Sequence, residues 1–223
     1  MRTALITGAS RGIGAAIATA LAPTHTLLLA GRPSPALQDT AERLGATTLP
    51  LDLTDTDAIP SATAAIDELD VLVHNAGIFF PGPVADSTVE DWRTTFDVNV
   101  VGAVAVTLAL LPALRRAGGQ VVFINSGTGR KASATMASYS ASKFALAALA
   151  DSLRESEPGL RVTTVFPGRV DTDMQQALVS FEGGDYDSAK FLRPDTVAQV
   201  VAQVVATPPD GHVHEVVIRP PVR

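Results

Sequence analysis

Short apolar runs alternate with longer stretches of helical period along this chain. Seven runs read as strands: TALIT (3–7), HTLLLA (25–30), ATTLPL (46–51), DVLVHN (70–75), QVVFIN (120–125), RVTTVF (161–166) and HEVVIR (214–219). They are rich in Val, Ile, Leu and Thr, and several are apolar throughout, as suits a parallel sheet covered on both faces. Between them, stretches near 12–22, 35–44, 55–67, 88–116, 139–156 and 194–206 carry the helical pattern. This alternation predicts right-handed crossovers and a doubly wound α/β sheet. No repeat, low-complexity tract or linker divides the chain, so residues 1–223 are expected to form a single domain. One segment breaks the pattern: MQQALVSFEGGDYDSAKF at 174–191, with Gly183-Gly184 inside it. A long irregular segment in a compact domain suits a substrate lid or binding loop.

Composition narrows the function classes. With 46% hydrophobic and 18% charged residues, a sizeable buried core is expected. The net charge of −6 argues against a nucleic-acid or anionic-membrane partner. There is no cysteine, which excludes disulfides, thiolate metal sites and thiol nucleophiles. No uninterrupted apolar run reaches the ~18 residues of a membrane span, and no basic-then-apolar leader opens the sequence. A cytoplasmic protein without a metal is the expectation. His212 and His214 lie two apart with no third ligand in view, and read as surface residues.

The first strand runs into Thr7-Gly8-Ala-Ser10-Arg11-Gly12-Ile13-Gly14, and a helix follows. Glycines let a backbone turn tightly and approach a ligand. The helix N-terminus then offers unpaired N–H groups to a phosphate. That position, after strand one, is where a dinucleotide site belongs. The second strand ends in Gly31-Arg32, where an NAD-binding protein tends to carry an acid for the ribose hydroxyls. Two guanidinium groups, Arg11 and Arg32, would instead suit a 2′-phosphate. NADP(H) is therefore expected over NAD(H).

Further along, Tyr139-Ser-Ala-Ser-Lys143 places a phenol and an ammonium on one helix face. With the motifs around it, the chain resembles the short-chain dehydrogenase/reductase family from Thr7 to about Thr172. The motifs are TGASRGIG at 7–14, Asp52 after the third strand, and Asn75-Ala76-Gly77. Asn99 in DVNVVG, Ser126 in INSGTG, Tyr139-x-x-x-Lys143, and Pro167-Gly168 with Thr172 in PGRVDT complete the series. Ser126 and Tyr139 stand thirteen residues apart, which also fits the family.

The resemblance implies a Rossmann-type sheet of about seven strands in the order 3-2-1-4-5-6-7. It implies Tyr139 as general acid/base and Lys143 as the charge that lowers its pKa and holds the nicotinamide ribose. A free phenol titrates at ~10, and the lysine ammonium together with a bound nicotinamide cation would favour the phenolate. Ser126 would hydrogen-bond the substrate oxygen, which gains negative charge as hydride arrives. Asn99 would anchor a water in a proton relay. For the cofactor, the resemblance implies Gly8, Ser10, Arg11, Gly12, Ile13 and Gly14 at the phosphates and Arg32 at the ribose phosphate. Asp52 and Leu53 would flank the adenine, and Asn75, Ala76 and Gly77 would pass beneath its ribose. Pro167, Gly168, Val170 and Thr172 would meet the nicotinamide end. His74, before Asn75, reads as a satisfied strand-end residue and not a second base.

The helices at 88–116 and 139–156 are apolar around much of their circumference and must bury that surface. In the family the two pair with a partner chain's copies, which implies a homodimer or homotetramer. Candidate substrate walls are Phe79, Phe80, Gly127, Thr128, Met136, Arg169, Met174 and Phe181, mostly apolar. They favour a hydrophobic carbonyl compound, while Arg169 or Arg130 could receive a carboxylate. A carbonyl reductase or alcohol dehydrogenase is the leading expectation. A non-catalytic NADP-sensing regulator and a transient-nicotinamide isomerase or dehydratase are the competitors.

Overall fold

The computed structural model describes residues 1–221. Seven strands form one parallel sheet: β1 (Arg2–Thr7), β2 (His25–Gly31), β3 (Thr47–Pro50), β4 (Val71–His74), β5 (Gln120–Ile124), β6 (Arg161–Pro167) and β7 (Glu215–Ile218). Their order is β3-β2-β1-β4-β5-β6-β7, as expected. Each strand begins and ends within one residue of the stretch its sequence marks. The helices are α1 (Gly12–Leu21), α2 (Pro35–Leu44), α3 (Ile59–Thr63), α4 (Val89–Phe96), α5 (Gly102–Ala117), α6 (Ala137–Ser156), α7 (Asp173–Phe181) and α8 (Pro194–Val205).

Strand side chains alternate between the two faces, and this divides the core. Ala4, Ile6, Val122 and Ile124 face one cluster, which Ile17 and Leu21 of α1, Leu37 of α2 and Val201 of α8 complete. Leu5, Leu72, Val121 and Phe123 face the other, with Ile59 of α3, Val106 and Leu110 of α5, and Leu146 and Leu153 of α6. Helices thus cover both faces, which is why the strands could be apolar throughout. Strand order reverses between β1 and β4. In such sheets the crevice outside the strands' carboxyl ends, at that reversal, is where ligands bind.

Three elements differ from the sequence pattern. The helix expected over 55–67 shrinks to α3. Asp52 and Asp55 accept bonds from the backbone N–H groups of Thr54 and Ala58, which offers those residues turns in place of a helix. The stretch 88–116 is helical but interrupted by one π-turn over Asp97–Val101. The irregular segment at 174–191 starts as a helix, α7, capped by the Thr172 hydroxyl, which accepts the Gln175 N–H. It ends where Gly183 and Gly184 turn back onto the Ser180 and Val179 carbonyls.

The helical run Val89–Ala117 is long and apolar enough to cross a membrane by length and composition alone. Uninterrupted apolar runs did not reveal this. Its Val106, Leu110 and Leu114 are buried in the second core cluster, so packing on the sheet accounts for the hydropathy.

Candidate active site

The site is built where strands end. The turn after β1 is closed from the side by β4. The Thr7 hydroxyl accepts the N–H groups of Asn75 and Ala76, and the Asn75 amide donates to the carbonyls of Thr7 and Gly8 at 3.0 Å. Asn75 is thus a brace holding two strand ends together. Glycine is required here by space. A Cβ on Gly14 would stand 2.3 Å from the Gly8 carbonyl and 2.5 Å from the Asn75 amide nitrogen, while Gly8 itself has φ +67°. Beyond the turn, α1 begins at Gly12 with no side-chain cap on its first N–H groups. A tight glycine turn that delivers uncapped helix N–H groups is a phosphate cradle in its chemistry.

Arg11 and Arg32 are not placed alike. Arg11, expected to share a phosphate with Arg32, pairs with Asp173 at the start of α7, Nη1 to Oδ2 at 2.9 Å, and both side chains are exposed. Arg32 is exposed and makes no ion pair among the described residues. The Asp52 carboxyl is held below the usual carboxylate range, first by two hydrogen bonds from Thr54 and then by the charge of Arg32. Leu53 packs against Gly102, where a Cβ would meet it at 2.6 Å.

Opposite the glycine turn, α6 presents Tyr139 and Lys143. Both are buried, 7% and 3% exposed. The Lys143 ammonium lies 5.5 Å from the centre of the Tyr139 ring and donates to the Ile124 carbonyl at 3.0 Å. Burial pushes Lys143 down to about 8. Burial also pushes Tyr139 up to about 12, with a hydrogen bond to Ser126 acting the other way. In the protein alone the cost of a buried phenolate sets the direction; the lowering expected from the lysine together with a bound nicotinamide cation is a property of the cofactor-bound site.

Ser126 opens the turn after β5. Its hydroxyl accepts from the Thr128 N–H at 3.2 Å, and its own N–H donates to Asn125 Oδ1. Asn125 in turn donates to the Lys143 carbonyl at 3.0 Å, tying α6 to β5. Asn99 sits in the π-turn. Its Oδ1 accepts the Ile78 N–H at 2.8 Å, and its Nδ2 donates to the Ile78 carbonyl and to Ser142. The carboxamide thus closes like a backbone partner on the segment after β4. A Cβ on Gly77 would lie 3.3 Å from Asn99 Oδ1 and 3.7 Å from Lys143 Nζ, so these groups surround one point.

A cavity of about 400 Å³ joins the two halves. Ser126, Tyr139, Ile13, Pro167, Gly168, Val170 and Thr172 line it, and so do the expected walls Gly127, Thr128, Met136, Arg169 and Met174. Phe79 packs beside Tyr139, with ring centroids 6.2 Å apart. Phe80 and Phe181 are exposed and do not line the cavity. Arg219, Gln175 and Lys190 line it without having been singled out from the sequence. The Gln175 amide nitrogen is buried without a hydrogen-bond partner. Together with the glycine cradle, this orphaned donor fits a polar, phosphate-bearing dinucleotide along the Ile13–Thr172 wall.

The histidines do other work. His74 is buried, bonds Thr107 at 2.9 Å and stacks on Phe123; burial pushes it down to about 3. His212 Nε2 is engaged by the backbone of Val162.

Comparison with known proteins gives a consistent result. Residues 2–183 match the family model described as short chain dehydrogenase. An uncharacterized oxidoreductase of Staphylococcus epidermidis is 33% identical over 229 residues, spanning 98% of this chain and 97% of its own. Two solved structures superpose along nearly the full length. One is an alcohol dehydrogenase from the archaeon Thermococcus sibiricus complexed with 5-hydroxy-NADP, at TM-score 0.88 and 28% identity over 97% of this chain and 95% of that one. The other is a metagenomic short-chain oxidoreductase in complex with NADP, at TM-score 0.83 and 30% identity over 100% and 98%.

Proposed function

The chain belongs to the short-chain dehydrogenase family, and on that premise we propose that it is an NADP(H)-dependent oxidoreductase acting on a carbonyl compound or secondary alcohol. The observation that carries this reading is that Ser126 and Tyr139 line one cavity together with Ile13 of the glycine turn, while the Lys143 ammonium lies behind them, 5.5 Å from the centre of the Tyr139 ring. When bound, NADP(H) would supply or accept the hydride. Gly8 through Gly14 would hold its phosphates, and Arg32 would meet the 2′-phosphate of the adenosine ribose. Asp52 and Leu53 would flank the adenine and Asn75, Ala76 and Gly77 its ribose; Pro167, Gly168, Val170 and Thr172 would meet the nicotinamide end, with the orphaned Gln175 amide in the same cavity.

The chain's own residues handle the proton. Tyr139, neutral near neutrality because burial holds its proton, donates from its hydroxyl to the substrate oxygen in the reducing direction. Ser126 hydrogen-bonds the same oxygen as charge builds on it. Lys143 lies over the phenol and favours the phenolate left behind. Asn99 fixes the loop after β4 next to Lys143, and in the relay reading it holds the water that returns the proton. An NADP-sensing regulator has no observation in its favour, because Asn99, Ser126, Tyr139 and Lys143 are all present and assembled.

Two further readings accompany this one. Residues 174–191, most of α7 and the turns after it, act as the lid, held by the bonds of Arg169 to Glu182 and Tyr186 to Asp171. Leu108 of α5 and Phe144 of α6 are 65% and 45% exposed, and they mark the face on which a homodimer or homotetramer assembles. The test of function is turnover of ketones, aldehydes, quinones and keto acids with NADPH and NADH side by side. Turnover with NADPH supports the reading; tight NADPH binding with no turnover of any class speaks against it.

A further inference from the structure

Most charges around the cleft are already matched. Arg169 lies 2.6 Å from Glu182, and Arg130 lies 2.8 Å from Glu215. Each also stacks over an aromatic ring, Phe191 and Phe166 respectively. These are the two guanidinium groups that the sequence offered to a substrate carboxylate, and both are engaged elsewhere. Arg219 is placed differently. It follows β7, whose Ile218 carbonyl accepts the Gly168 N–H at 2.7 Å, so the end of β7 is fixed against the turn after β6. From there the guanidinium lies over Gly127, next to Ser126: a Cβ on Gly127 would stand 2.9 Å from Nη2 and 3.0 Å from Nη1. Its hydrogen bond to the Phe166 carbonyl is 3.3 Å long, outside the usual range for an N–H donor. No carboxylate of the described residues lies within ion-pair distance of it.

The cavity holding Ser126 and Tyr139 is lined by Arg169, Lys190 and Arg219 and by no Asp or Glu, in a chain of net charge −6. The same cavity carries an apolar cluster: Met136, Tyr139, Met174 and Leu178 line it, packed with Phe79. A cavity with one cationic edge and one apolar side fits an amphipathic anion better than a neutral ketone.

We propose that Arg219 receives the carboxylate of the substrate, and that the substrate class is oxo acids and the corresponding hydroxy acids. This rests on the reductase reading above. The carbonyl carbon takes a hydride from NADPH, the carbonyl oxygen takes the Tyr139 proton, and the carboxylate on Arg219 is unchanged. The remaining carbon chain lies along Met136, Met174 and Leu178. Glycine at 127 leaves the space that the guanidinium needs beside Ser126.

The test compares matched pairs, 2-oxo and 3-oxo acids against their methyl esters, in the wild type, Arg219→Met and Arg219→Lys. Hydrogen bonds to charged groups predict an acid-to-ester ratio in kcat/KM of roughly tenfold or more in the wild type. Arg219→Met should bring the ratio to near unity, and Arg219→Lys should retain part of it. Using the ratio cancels any general loss of folded enzyme. A second arm needs no turnover: hexanoate and hexanamide are titrated calorimetrically into the protein with NADP⁺. Hexanoate should bind more tightly, and that preference should vanish in Arg219→Met. Equal turnover of acid and ester in the wild type overturns the proposal. So does a variant that raises the NADPH KM and leaves the ratio intact, since Arg219 would then serve the cofactor. If no pair is turned over while hexanoate binding still depends on Arg219, the anion site stands and the reductase reading falls.

Discussion

Lys143 is the residue whose removal should separate stability from function most cleanly. The residue is 3% exposed, and burial lowers its ammonium from 10.5 to about 8. At about 1.4 kcal/mol per tenfold change in proton affinity, that lowering is a cost to the folded state of about 3 kcal/mol at neutral pH. The sign follows from proton uptake. Between about 8 and 10.5 the unfolded chain binds the proton more tightly than the folded one, so stability on this account rises with pH through that window and falls as pH drops through 8. Lys143→Met keeps the length of the side chain and removes the charge. It forfeits the bond to the Ile124 carbonyl, worth about 1 kcal/mol net. The variant should therefore be about 2 kcal/mol more stable than the wild type at pH 7. The advantage should shrink by about 2 kcal/mol by pH 9.5, as the folded wild type's lysine loses its proton while the unfolded chain's lysine keeps it. Urea unfolding of cofactor-free protein at the two pH values measures both quantities, while turnover should be lost. A variant less stable than the wild type at pH 7, or a difference that does not change with pH, would refute the reasoning.

Other outcomes follow from the same geometry. Tyr139→Phe removes the proton donor but little of the buried ring, so NADPH binding measured by fluorescence should persist while turnover disappears. Arg32→Asp should weaken NADPH well beyond NADH, by roughly tenfold or more if Arg32 meets the 2′-phosphate; equal weakening of both in cofactor titrations would remove that assignment. Gly14→Ala forces a methyl into backbone that has no room, and should cost about 1–3 kcal/mol or more in urea unfolding together with cofactor binding. Leu108→Glu, on the exposed face of α5, should shift the assembly toward monomer in sedimentation; an unchanged assembly would place the contact elsewhere.

The strands were legible because each is a short, mostly apolar run bounded by Gly, Pro or charge, as suits a sheet covered on both faces. The motifs after their carboxyl ends were legible for the same reason: strand ends locate the crevice. What escaped the sequence was tertiary. The π-turn at Asn99 arises from a carboxamide closing on Ile78, a partner the helical pattern does not show. Arg219 enters the cavity only because β7 pairs with β6, joining residues far apart in the chain. The burial that raises the Tyr139 phenol and lowers the Lys143 ammonium was not legible either, because burial is a property of the fold. The start of α7 could have been found: Thr172 caps it and Gly183-Gly184 stops it, but the mixed polarity between them hid the helical face of Met174 and Leu178.

The most direct test of the central claim is the loss of NADPH absorbance with a carbonyl panel, run in parallel for the wild type and Tyr139→Phe. Turnover by the wild type that Tyr139→Phe abolishes while still binding NADPH is the predicted result. Turnover by Tyr139→Phe at near wild-type rate would contradict the account, because the proton would then come from somewhere other than Tyr139.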